Sequence, residues 1–144
     1  MPDTALLYYQ QALDISKELN RKKDMAACYT RIVAILTYKS DYDQAMEKYL
    51  KSLEIYEEIG EKEGVAKAYN GMGIIYKIQG AYDKAVEYYL KSIRIKEELF
   101  DKKGIASTYN NFAVIHATQY SDDKAIEYFL KSLEIKEEFC DKRW

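Results

Sequence analysis

Residues 42–81 read YDQAMEKYLKSLEIYEEIGEKEGVAKAYNGMGIIYKIQGA, and residues 82–121 read YDKAVEYYLKSIRIKEELFDKKGIASTYNNFAVIHATQYS. The two 40-residue blocks are identical at 18 positions without a gap. Residues 122–144 open a further copy that matches the preceding one at 14 of 23 positions. Residues 2–41 form a more divergent copy in the same register, with Ala5, Tyr9, Leu13 and Ile15 where Ala45, Tyr49, Leu53 and Ile55 stand. The 144-residue chain is therefore one 40-residue unit repeated about three and a half times. A period of that length is the mark of a stacked array, in which each unit buries its apolar face against its neighbours.

Each unit carries two helical patterns. In the block from residue 82, Ala85, Tyr89, Ser92 and Ile93 recur at spacings of three and four. Ile105, Tyr109, Phe112, Ala113 and His116 do the same one helix later. Asp101 stands where an N-cap is needed, and Gly80 stands where a left-handed C-terminal cap suits it. The expected fold is all-α with about seven helices: a lone second-type helix in residues 2–21, then helix pairs in 22–61, 62–101 and 102–144. Where Tyr120 takes the turn position of Gly80, an altered corner is expected, because a side chain in the left-handed region is costly.

Composition narrows the function classes. Lys plus Arg number 22 against 24 Asp plus Glu, so the basic excess of a phosphate-neutralising nucleic-acid binder is missing. No run of about 18 apolar residues is present, so no membrane partner is expected. The first residues lack a basic segment followed by an apolar one, and no export signal is expected. Cys28 and Cys140 form no CxxC pair, which leaves neither a disulfide framework nor a zinc site; a reducing, cytoplasmic compartment is the expectation.

Catalysis finds no candidates. The single histidine, His116, takes the place of Tyr76 on a packing face, and nothing nominates a nucleophile or an orienting carboxylate for it. Glu57-Glu58, Glu97-Glu98 and Glu137-Glu138 recur because the repeat recurs, so they read as a solvated face rather than a glycosidase pair. Cys28, among Met25, Ala26 and Tyr29, reads as a buried structural thiol. No phosphate loop or HExxH motif is present, and neither metal nor cofactor is expected. The tyrosines at 9, 49 and 89, with Phe129, and those at 29, 69 and 109 occupy repeated core places rather than a base-stacking surface.

Ala66, Tyr69, Met72, Gly73, Tyr76, Gly80, Tyr82, Ala85 and Tyr89 together resemble the tetratricopeptide (TPR) signature, in register along the whole chain. The unit here is longer than the usual 34 residues and is similar to repeats of kinesin light chains, Pins-type adaptors and bacterial peptide-sensing regulators. The resemblance implies antiparallel helix pairs stacked in a right-handed superhelix, with the first helix of each pair lining a concave face. It also implies that Gly73, Ala113, Ala45, Ala85 and Ala125 mark close helix crossings.

The same resemblance places partner contacts on one face of each first helix. In the first pair these are Thr30, Arg31 and Tyr38, with Ala27, Ala34 and Thr37. In the second they are Lys67, Asn70, Ile74, Lys77 and Ile78, with Gly71. In the third they are Ser107, Asn110, Asn111 and Val114, with Ala117 and Thr118. Asn111 matches a ladder of asparagines that grips a peptide backbone in related arrays, while Arg31 and Gly71 take its other places. The expected partner is a protein or peptide segment carrying acidic and apolar residues, bound by an adaptor or regulator. An alternative is a structural or self-associating scaffold without a dedicated ligand. End-to-end homo-oligomers would use Ala5, Tyr9 and Ala12 at one end and Ile126, Leu130 and Leu133 at the other.

Overall fold

A computed structural model describes residues 2–119 and 122–141. Among them the chain forms seven helices: α1 (Pro2–Glu18), α2 (Lys22–Tyr38), α3 (Tyr42–Ile59), α4 (Lys62–Ile78), α5 (Tyr82–Glu98), α6 (Lys102–Gln119) and α7 (Asp122–Asp141). The lone α1 precedes three pairs, α2–α3, α4–α5 and α6–α7, and no strand occurs among the described residues.

The corners keep a 20-residue beat. Asn20, Ser40, Gly60, Gly80 and Phe100 all have positive φ, from 52° to 78°. At each corner the following amide donates back to a carbonyl five residues earlier at 2.8–3.0 Å, from Arg21 to Ser16 through to Asp101 to Lys96. This is the Schellman closure of a helix end. Only two of the five left-handed residues are glycine, so the hydrogen-bonded frame overrides the intrinsic penalty at Asn20, Ser40 and Phe100. The expected change at Tyr120 lies outside the described residues. Two helix starts are capped by carboxylates: Asp41 accepts from the Gln44 amide at 3.3 Å, and Asp101 accepts from the Gly104 amide at 3.0 Å, while α2, α4 and α5 have no side-chain cap.

Within a pair, the start of the first helix meets the end of the second. Lys62 pairs with Glu98 at 3.3 Å and Lys102 with Glu138 at 3.1 Å, and Lys22 pairs with Glu58 in the same way. The pairs are therefore antiparallel. Their seam is made of small residues. Ala45 and Ala85 are fully buried, and Ala125 and Ala113 are buried at the third pair. The hydroxyls of Ser52, Ser92 and Ser132, all buried, donate to the carbonyls of Ala26, Ala66 and Ala106 at 3.3, 2.8 and 2.8 Å. Each satisfies its own polar group at the crossing. In α1 the matching residue is Ala12.

The core is continuous along the array. Leu13, Tyr29, Ile32, Val33, Leu36, Ala45 and Ile75 form one cluster, and Ala85, Tyr89, Ile93, Phe112 and Ile115 form the next. Ile75 belongs to the first and Ile74 packs on the second, so α4 joins them. His116 is half-buried and stacks on Tyr128, ring centroids 5.1 Å apart, with Phe112 at 6.5 Å on the same cluster. Burial, then the nearby Lys124, hold its imidazole below the usual histidine range. Cys28 is half-buried rather than buried, and burial raises its thiol pKa. Cys140's side chain lies outside the description. No helix among the described residues is long and apolar enough to cross a membrane.

Candidate functional site

The expected groove residues fall on α2, α4 and α6, but they are not equally available. Arg31, Tyr38, Lys67, Ile78, Ser107 and Val114 are exposed, and Asn70, Ile74, Lys77, Asn110 and Asn111 are half-buried. Tyr38 is 80% exposed. Arg31 and Lys77 make no ion pair among the described residues, while Lys67 pairs loosely with Glu63 at 3.5 Å. Thr30 is engaged: its hydroxyl donates to the Ala26 carbonyl at 3.0 Å and lies 3.2 Å from the Ser52 hydroxyl. Asn70 is engaged too, its Oδ1 lying 3.4 Å from the Thr108 hydroxyl.

Gly71 is buried, and its space is taken. A side chain built there would run into the hydroxyl and ring of Tyr49, which reaches across from α3. One repeat on, the matching tyrosine takes a different hole: a Cβ on Gly73 would lie 2.7 Å from the ring of Tyr89 and 3.3 Å from the Ala85 carbonyl. In the first pair the place of Gly73 holds Val33, which is buried and closes that hole to Tyr49. The two glycines of α4, two residues apart, thus serve two different tyrosines. Periodicity alone marked both tyrosines as one kind of core residue, whereas only Tyr89 is wholly buried. Its hydroxyl has no hydrogen-bond partner among the described residues, and burial pushes its pKa far above the usual tyrosine range.

A second feature escaped the sequence reading. Lys96, on α5, is buried at 8% exposure and runs over Gly104. Its Nζ donates to the Thr108 hydroxyl at 3.0 Å and lies 3.5 Å from the Gly104 carbonyl. Desolvation lowers its pKa, and Asp101 only partly counters this. The same place holds Tyr56 one repeat earlier, where the ring lies over Gly64. Lysine usually reads as solvent-facing, and only this correspondence hinted otherwise.

A cleft of about 330 Å³ opens between α1 and α2, lined by Tyr8, Tyr9, Ala12, Cys28 and Arg31 among others. Tyr9 and Arg31, the repeat equivalents of Tyr49 and Gly71, both line it. At the array's edges, Ala5, Tyr9 and Ala12 are half-buried, and Ile126, Leu130 and Leu133 are exposed. Tyr8 and Ile15 are exposed as well, and Phe129, expected at the core place of Tyr89, is instead 45% exposed on the last helix described. The Glu57, Glu97 and Glu137 pairs are exposed as expected, and no group of three metal-ligating side chains gathers among the described residues.

Stacked pairs, small-residue seams and a face built from every first helix define a helical-repeat interaction protein. The sequence profile of the tetratricopeptide repeat matches residues 24–98 and 64–138, and the chain belongs to that family. No curated protein matches it. Among solved structures it is similar to the apo form of RapI, at 25% identity and TM-score 0.86, over 98% of this chain and 52% of that one. BtubC (BKLC) from P. vanneervenii is 24% identical with TM-score 0.85, over 95% of this chain and 56% of that one. A Rap protein complexed with Competence and Sporulation Factor is 22% identical with TM-score 0.87, over 98% and 39%. The chain thus spans about half the length of these relatives or less.

Proposed function

We propose that this array binds an extended or helical protein segment bearing acidic and apolar residues along the faces of α2, α4 and α6. The observation that carries this reading is the composition of that face. Among the described residues Arg31 and Lys77 have no ion-pair partner, Lys67 has only an exposed one, and Tyr38, Ile78 and Val114 offer apolar surface on the same helices. Cations of one sign on a concave surface steer acidic segments toward it. The exposed apolar side chains would then supply contact area. Within the whole protein, an adaptor or signalling role follows from such binding, and similarity to a Rap protein seen with a bound factor is compatible with it. The test is selection from a displayed library of 12-residue peptides: enrichment of sequences pairing Asp or Glu with Leu, Ile or Phe is expected, and enrichment of basic sequences would overturn the reading.

A second reading is self-association. Its support is the row Ile126, Phe129, Leu130 and Leu133 along one side of α7, all exposed. Burying such a row is worth roughly 25 cal/mol per Å². Light scattering at high concentration decides it: a strict monomer removes this reading.

A further inference from the structure

We infer that the hydroxyl of Tyr49 is a partner-contacting group of the groove, standing in for the side chain Gly71 lacks and donating to a main-chain carbonyl of the bound segment. The inference rests on the groove reading above. Positions 31, 71 and 111 are equivalent in the repeat, and the first and third carry Arg31, exposed, and Asn111, half-buried. A side chain leaving α4 at 71 would therefore point the same way, and the Tyr49 hydroxyl lies in its path. Tyr9 and Arg31, the equivalents of Tyr49 and Gly71, both line the first cleft.

The hydroxyl is also chemically available. It has no hydrogen-bond partner among the described residues, and unlike that of Tyr89 it is not sealed from solvent. Burial of the ring raises its pKa, so it remains a neutral donor. A half-desolvated donor without a partner gains from any acceptor delivered to it. Arg31, Tyr49 and Asn111 can all donate, once per repeat, and their common complement is a row of carbonyl oxygens on an extended chain. Ladder binding thus survives at the repeat whose groove residue is glycine, with the group supplied from the neighbouring helix.

The test uses a fluorescein-labelled 12-residue peptide selected on the unmodified protein. Tyr49→Phe should weaken its binding about five- to tenfold. The melting temperature should not fall, because the hydroxyl makes no internal bond. Tyr89→Phe, which removes a hydroxyl buried away from the groove, should leave affinity unchanged. Equal affinity of Tyr49→Phe and the parent, with binding still lost on reversing Arg31, Lys67 and Lys77, would overturn this inference alone. A library that enriches no peptide, or binding that survives the charge reversal, would overturn the groove reading with it. Alanine scanning of the peptide should leave the Tyr49→Phe penalty in place; a single side chain whose removal abolishes it would contradict the main-chain assignment.

Discussion

Tyr89 of α5 occupies the space that a side chain on Gly73 of α4 would need. The tyrosine is wholly buried, and a Cβ on the glycine would sit 2.7 Å from its ring. Gly73→Ala should destabilise the fold by about 1–3 kcal/mol, as overpacking does where neighbours cannot yield. Tyr89→Phe should do the opposite. It removes a hydroxyl that is buried without a partner, so stability should hold or rise by about 1 kcal/mol. Urea unfolding of both variants checks the pair, and a destabilised Tyr89→Phe would show that the hydroxyl has an unseen partner.

Phe100 closes α5 in the left-handed region with φ of 56° while 86% exposed, so its ring contributes little packing. Phe100→Gly should therefore stabilise by about 1 kcal/mol. Gly80→Ala is the reciprocal case. Nothing lies within 4 Å of a Cβ there, yet φ is 78°, so a loss of about 1 kcal/mol would come from backbone strain alone. Thermal melts of the two variants should move in opposite directions.

Lys96 carries its charge into the seam between α5 and α6, and its pKa is lowered there by desolvation. The unfolded chain then holds this proton more tightly than the fold does, so the group disfavours folding while charged in both states. That penalty is fully present below the folded pKa and is relieved as pH rises through it toward the ordinary value of 10.5. Lys96→Met should accordingly raise stability near pH 7 by about 1 kcal/mol. The gain should narrow in alkaline buffer, and a pH-independent difference between variant and parent would contradict the assignment.

The repeat and its corners were legible because they depend on local chemistry repeated in register. Asp101 caps α6 as its position implies, and Gly80 adopts the left-handed turn. The seam serines 52, 92 and 132 recur every 40 residues, although their bonds to the alanine carbonyls only emerge from packing. The packing of the expected partner face was legible only in outline. Gly71 and Gly73 lie two apart on one helix, and nothing in the spacing says which tyrosine each admits. That choice depends on Val33, one repeat and two helices away, filling the alternative hole. Thr30 and Asn70 read as partner-facing, but their side chains are already tied into the helix seams.

The central claim is that the cationic face of α2 and α4 holds the partner. The most direct test is fluorescence polarisation of a selected acidic peptide against the parent and the triple variant Arg31→Glu, Lys67→Glu, Lys77→Glu. All three side chains are solvent-accessible, and among the described residues the only ion pair they make is the exposed one of Lys67, so the melting temperature should be preserved. Affinity should fall at least a hundredfold, and parent binding should weaken with added salt. Undiminished affinity in a folded triple variant would contradict the account.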